Sequence, residues 1–202
     1  MCHIANLPDA LARGLFSCRH AQFTPPAVRI GDLALAEFRD NYQLKAPASG
    51  TIGEYVAFYL GAQSPMLHRI RTGWNVPQAH PQRDVVYILV RCTDVLNAGL
   101  RYVVTDGQAN QAVTKHYVDE KGLELVDWNA VHALDWKNTE QDRDRMRKKQ
   151  AEFLIHESLT RDLIAAIGVY DDARKTEVET LVSALGLTIP VKVDRQRKLY
   201  YP

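Results

Sequence analysis

At 202 residues the chain suits one globular domain with a full core, and 46% hydrophobic with 24% charged residues excludes both a disordered segment and a disulfide scaffold. A formal net charge of +1 supplies no global pull toward a polyanion, so any nucleic-acid contact has to come from local clustering. The longest apolar runs fall well short of the roughly 18 to 20 residues of a membrane span, no signal segment opens the chain, and Cys2, Cys18 and Cys92 lack CxxC spacing, so the expectation is a cytoplasmic protein with free thiols.

Asn6 is placed to cap a first helix that carries Leu7, Ala10 and Leu11 and stops at Gly14. Residues 45–53, with Pro47, Ser49, Gly50 and Gly53, read as a loop too short to separate domains. Strands are expected at 55–60, 84–90 and 102–104, with a short capped turn at 93–99. Thr139 followed three residues later by Asp142 resembles a capping box opening a helix through Arg143, Arg145, Arg147, Lys148 and Lys149, a basic stretch opposed only by Asp144. Strands follow at 152–156 and 164–170. Val178, Leu181, Val182 and Leu185 then recur at helical spacing, Gly186 is the stop, and strands at 189–193 and 199–201 close the chain. Helices and strands in irregular order, without a steady βαβ rhythm, predict an α+β fold in a single domain over 1–202.

Several familiar chemistries are absent. No GxGxxG follows a strand, no GxxxxGK[ST] occurs, His156 and Glu157 do not extend to HExxH, and Ser64 lacks the second glycine of a nucleophile elbow. The seven histidines, His3, His20, His68, His80, His116, His132 and His156, are scattered without ligand spacing, so no metal is expected.

The stretch 150–156 carries more. On a strand Gln150, Glu152, Leu154 and His156 share one face, while Ala151, Phe153 and Ile155 share an apolar one facing the core. That leaves two readings of Glu152. Either it stands at the rim of a cleft, where a carboxylate accepts a hydrogen bond from a sugar hydroxyl and stabilises developing positive charge, or it forms a solvated strand-end pair with a nearby cation.

The string RKKQAEFLIH at 147–156 resembles the C-terminal signature of the DarT family of bacterial DNA ADP-ribosyltransferase toxins. Further similarities follow in order: HIANLPDAL near the start, Arg39 in EFRDNY, GEYVAFYL and SPML within 53–67, VVYILV at 85–90 and VTDGQA at 104–109. The resemblance implies an ADP-ribosyltransferase-like fold, with mixed sheets around an NAD cleft and peripheral helices, that splits NAD and attaches ADP-ribose to thymine in single-stranded DNA. It implies Glu152 as the essential carboxylate on the nicotinamide ribose and Arg39 as the second catalytic residue, close to an NAD phosphate. Arginine is too weakly acidic to serve comfortably as a base, so its expected role is electrostatic. Asp9, Ser17 and Gln150 fall at expected NAD-contacting positions. Tyr55 and Tyr59, with Phe58, either stack on nicotinamide or a base or belong to the core. Thr105 and Asp106 open an expected DNA-facing loop over 105–117, although Asp106 equally suits a plain turn. Arg145, Arg147, Lys148 and Lys149 either follow DNA phosphates or form a solvated helix face. The implied partner is a macrodomain antitoxin of the DarG type.

The family's first HxT histidine has no counterpart here: His3 matches a later one, and Met1 and Cys2 stand where the earlier residues would be. The start therefore reads as lacking a family segment, or as an altered NAD site. The alternatives are a catalytically silent NAD- or DNA-binding homologue and a transferase with an RNA or protein acceptor.

Overall fold

In a computed structural model describing residues 1–202, the chain runs through β1 (Cys2–His3), α1 (Leu7–Arg13), β2 (Leu15–Phe16), α2 (Leu33–Asp40), β3 (Tyr55–Tyr59), α3 (Pro65–Thr72), β4 (Val85–Val90), α4 (Cys92–Asn97) and β5 (Tyr102–Thr105). It continues through β6 (His116–Tyr117), α5 (Lys121–Glu124), α6 (Trp128–His132), α7 (Arg145–Lys149), β7 (Glu152–His156), β8 (Ser158–Leu159), β9 (Ile164–Val169), α8 (Asp172–Ala184) and β10 (Val191–Val193). One four-stranded sheet has the order β1-β4-β9-β10, with β9 and β10 parallel and the other pairs antiparallel. A second, wholly antiparallel, has the order β3-β7-β5-β6, and β2 pairs with β8 in a small ribbon. The α+β expectation holds, with the helices around the sheets. No helix is long and apolar enough to cross a membrane.

Strand composition explains the layers. Val86 and Ile88 of β4 pack with Ile167 and Val169 of β9 against Leu7 and Leu11 of α1 and Val178 and Val182 of α8. The intervening Val85 and Tyr87 face the other way, onto Leu67 and Ile70 of α3 and onto Tyr200 and Tyr201. A strand buried on both faces reads as a continuous apolar run, as VVYILV does.

The C-terminal segment departs from expectation. Residues 199–201 form no strand, because the buried Asp194 carboxylate takes up the amides of Lys198, Leu199 and Tyr200 at 2.8 to 3.0 Å. The segment crosses the sheet face instead, and Tyr200 Oη donates to the Val85 carbonyl at 2.7 Å. Gly168 permits that approach, since a Cβ there would stand 2.4 Å from Leu199 Cδ1.

Two caps also differ. Helix α1 begins and ends where expected, yet Asn6 makes no cap; its amide ties down Val28 through N–H and C=O bonds of 3.0 and 2.7 Å. Thr139 and Asp142 close a turn, and the helix behind them is only α7.

Candidate functional site

Glu152 opens β7, in register with Tyr59 of β3, one position before the Phe153 pairing with Val104 of β5. Side-chain alternation places Ala151, Phe153 and Ile155 in one core cluster and Leu154 in another, with Tyr55, Val103 and Ala109. Glu152 itself is 1% exposed, deeper than a cleft rim. Its backbone N–H donates to Thr105 Oγ1 at 3.0 Å, and that hydroxyl donates in turn to the Gly107 carbonyl at 2.6 Å.

The carboxylate has three donors. Arg39 meets it with both terminal nitrogens, Nη1 to Oε1 at 2.9 Å and Nη2 to Oε2 at 2.5 Å, and the Ala109 amide donates to Oε1 at 2.9 Å. The pair is thus a bidentate fork with a buried carboxylate and a partly buried guanidinium, the partner lying 113 residues away rather than among the neighbouring cations at 143–149. A carboxylate offers about four acceptor positions. Two on Oε1 and one on Oε2 are filled, which leaves one on Oε2.

Arg39 sits in the last turn of α2, whose first turn Asp32 caps by accepting from Leu35 N at 3.0 Å. Its Nη1 also donates to Asn110 Oδ1 at 3.2 Å. Burial pulls the guanidinium pKa down, but the charge and hydrogen bonds of Glu152 outweigh this and hold it above the ordinary arginine value. Tyr59 lies beside the pair, and burial, reinforced by the Glu152 charge, pushes its hydroxyl up to about 12, so it remains protonated.

Residues 106–115 form a cover over the carboxylate. Lys45 anchors it from outside: its ammonium donates to the carbonyls of Gln111, Ala112 and Thr114. On the inner side His116 Nε2 meets the Ala109 carbonyl at 3.0 Å, which calls for a proton on Nε2, and leaves the buried Nδ1 without a partner. Burial lowers the His116 pKa, so the ring is neutral. Arg147 packs against Gly107, where a Cβ would lie 2.2 Å from Nη1, and bonds Asp106 at 2.8 Å, Asp144 at 2.7 Å and Thr114 Oγ1 at 3.1 Å.

The basic stretch is therefore internal wiring more than a free phosphate track. Lys148 pairs with Asp127 and Asp142 at 3.3 and 3.4 Å, and Arg145 reaches Asp142 at 3.8 Å. Lys149 points inward, contrary to a role at a DNA surface: it is 2% exposed and donates to the carbonyls of Val131 and Ala133 at 2.8 and 2.9 Å. Thr105 is fully buried and Asp106 closes the base of the cover, so neither side chain projects as a free contact. Gln150 is buried, donating to the Met146 carbonyl at 3.0 Å and to Gln108 Oε1 at 3.5 Å.

Tyr55 belongs to the core beneath Leu154, its hydroxyl donating to the Ser49 carbonyl at 2.9 Å; Tyr59 rather than Tyr55 is at the site. Asp9 is paired with Arg13 at 2.5 Å and helps line a cleft of about 400 Å³ with Asn6, Phe16 and Phe23. His3 Nδ1 accepts from Ala5 N at 3.1 Å. Ser17 is buried with no partner for its hydroxyl, and Cys18, next to it, donates to the Gly53 carbonyl and lies against Asp40, the neighbour of Arg39. Sequence reasoning missed Ala109, Asn110, Lys45 and His116. The loop expected over 105–117 enclosed all of these but Lys45 without singling any of them out. No three or more His, Cys, Asp or Glu side chains gather as a metal site.

The family described as DarT, ssDNA thymidine ADP-ribosyltransferase, matches residues 1–201. The chain belongs to the DarT family. It is 31% identical over 199 residues to the DNA ADP-ribosyl transferase of Thermus sp. (strain 2.9), covering 98% of this chain and 93% of that protein. Among solved structures it is similar to Thermus sp. 2.9 DarT in complex with ADP-ribosylated ssDNA, with a TM-score of 0.88 at 26% identity, covering 99% of this chain and 93% of that one. The same DarT in complex with NAD+ gives 0.83 at 26% identity, over 99% and 94%. The DarT fold here is thus an ADP-ribosyltransferase fold.

Proposed function

We propose that this DarT-family chain breaks the glycosidic bond between nicotinamide and ribose in NAD and transfers ADP-ribose to thymine in single-stranded DNA, with Glu152 and Arg39 as the catalytic pair. Membership of the family supplies the reaction class, and the remaining acceptor position on Glu152 Oε2 carries the assignment of residues. A ribose hydroxyl donating there adds a second hydrogen bond to an oxygen already held by Arg39. As the bond from C1′ to the pyridine nitrogen lengthens, nicotinamide leaves with the electron pair and the ribose takes on oxocarbenium character. The fixed negative charge stabilises that cation without reorganising, because Arg39 and the Ala109 amide hold the carboxylate in place. The thymine ring nitrogen then bonds to C1′ and releases its proton to water. Arg39, held cationic by its partner, steers the anionic parts of NAD and contributes electrostatically rather than as a base.

NAD is placed on the side of the site where Phe16 lines the cleft beside Asp9, where the Ser17 hydroxyl next to it lacks a partner, and where Cys18 lies against Asp40, the neighbour of Arg39. We take residues 1–202 as one catalytic unit acting in the cytoplasm. An adduct on template bases blocks copying until it is removed, so the enzyme requires a reversing partner, and a macrodomain of the DarG type has the matching chemistry.

Labelled NAD incubated with oligonucleotides that contain or lack thymine, with the corresponding RNA, and with bulk protein tests the reading. Label is expected on thymine-containing single-stranded DNA alone and on nothing with Glu152→Ala. Label on protein or RNA, or none on DNA, overturns it. Co-expression with a DarG-type macrodomain is expected to restore growth.

A further inference from the structure

Arg145, Arg147 and Lys148 are paired to carboxylates and Lys149 is buried, so that stretch offers little free charge, whereas two cations without a carboxylate side-chain partner, Arg71 and Lys137, lie on and beside α3. This helix flanks the catalytic pair: Tyr59 Oη meets Met66 Sδ at 3.9 Å, and Arg69 reaches Asp32, the cap of the helix bearing Arg39, at 3.6 Å. Past that point the guanidinium of Arg69 lies 4.5 Å from the ring centroid of Trp74, an indole left 58% exposed.

On the adjoining face of α3, His68 and Arg71 stand one turn apart. The His68 ring packs edge-on against Trp136 at 5.7 Å and Tyr201 at 5.9 Å, and Arg71 lies 4.8 Å over Tyr201. Trp136 is locked by its indole N–H donating to Tyr201 Oη at 2.7 Å, and Tyr201 Oη is fixed in turn by donating to the Gln63 carbonyl at 2.6 Å. Lys137 is exposed and, like Arg71, pairs with no acidic side chain; the one hydrogen bond of Arg71 goes to the Pro202 main-chain oxygen at 3.4 Å. Asp135, the nearest acid in sequence, is turned to accept from the Lys137 backbone amide at 3.1 Å. Burial, then Arg71 and Lys137, lower the His68 pKa. The surface thus combines fixed aromatic rings with unneutralised cations, the pairing that holds single strands by stacking and phosphate contact.

We propose that Arg71, Lys137, Trp136 and Trp74 on and beside α3 form the surface that carries the acceptor strand past the catalytic pair, the cations on phosphates and the indoles under unpaired bases. This rests on the single-stranded DNA reading of the acceptor. Rigid indoles suit the task because little conformational freedom is lost on binding.

Anisotropy of a labelled 12-mer oligothymidylate, titrated with the full chain in the absence of NAD across a salt series, is the test. Arg71→Glu/Lys137→Glu is expected to weaken binding at least tenfold and to flatten the dependence of log affinity on log salt by about 1.4, from roughly 0.7 per single-strand phosphate contact. Trp74→Ala is expected to lose about fivefold or more through stacking. Arg145→Ala/Lys148→Ala is expected to stay within about twofold. Should that variant fold poorly, Lys137→Glu alone, on an exposed side chain, is expected to give about half the slope change. Undiminished binding by the Arg71 and Lys137 variants, or an equal loss at Arg145 and Lys148, overturns the placement while the acceptor reading stands. No binding of the oligonucleotide by the unaltered chain overturns the acceptor reading and the placement with it.

Discussion

Glu152→Gln keeps the shape of the side chain and removes its charge. The glutamine carbonyl can still accept from Arg39 Nη1 and the Ala109 amide, but its NH2 then faces Arg39 Nη2 across the 2.5 Å now spanned by a charge-assisted bond. Two donors repel, and a buried guanidinium loses its counter-ion. Stranding one member of a buried pair costs about 3 to 5 kcal/mol. The lower figure applies because the Arg39 side chain is 15% exposed and regains some solvation. At roughly 2 to 4 °C per kcal/mol for a chain of this size, Tm should fall by about 6 to 12 °C. Arg39→Met should do similar damage by stranding the carboxylate. Arg39→Met/Glu152→Leu removes both charges and leaves mainly the Ala109 amide unpaired, about 1 to 3 kcal/mol. The double variant is therefore expected to be more stable than the sum of its parts by roughly 3 kcal/mol or more. Activity should not follow: NAD cleavage is expected to fall about 10²- to 10³-fold in Glu152→Gln and to stay lost in the double variant. Urea denaturation beside an NAD hydrolysis assay measures both. Additive stability losses would refute a buried, mutually compensating pair, and recovery of cleavage in the double variant would refute the catalytic role.

Thr105→Val leaves the Glu152 amide without an acceptor and is expected to cost about 1 to 3 kcal/mol with a severalfold fall in cleavage, while Thr105→Ser retains both, as thermal melts and rates together would show. Lys45→Met removes the ammonium from three carbonyls of the cover, so amides at 108–114 should exchange with solvent about tenfold faster or more in hydrogen-exchange measurements. Burial pushes the Lys149 ammonium from the usual 10.5 down to about 8. Between those values the unfolded chain holds a proton that the folded chain has released, so stability contributed through this group rises with pH. Urea midpoints at pH 7.5, 8.5 and 9.5 should therefore climb in the wild type relative to Lys149→Met.

What the sequence showed depended on how local the signal was. Alternation within 152–156 foretold which residues enter the core, because one strand settles that geometry alone. It could not find the partner of Glu152, since Arg39 arrives from a separate helix and no local period links them. Charge runs misled for a related reason. Arg147, Lys148 and Lys149 look like a surface stretch until Asp106, Asp127, Asp142, Asp144 and two backbone carbonyls meet them in space. Tyr200 and Leu199 have strand-like composition, but the Asp194 carboxylate takes the amides a strand would need. Family resemblance reached Glu152 and Arg39 where spacing alone did not choose; it enclosed His116 in the loop expected over 105–117 without a role for it, and it said nothing of Lys45.

A carboxylate with one open acceptor position is useful only if a ribose can reach it, and Glu152 is covered. The cover has two parts of unequal strength. Residues 106–115 are tied by Lys45, by Arg147 and by Thr114, whose hydroxyl donates to the Gln108 carbonyl at 2.8 Å. Helix α2 has no buried residue, and leaves Leu33 45% and Phe38 56% exposed, so Arg39 is attached through the less anchored element. On the proposed reading of the site, access to Oε2 opens on the α2 side, while the Arg39 fork and the Ala109 amide keep the carboxylate oriented for the ribose hydroxyl.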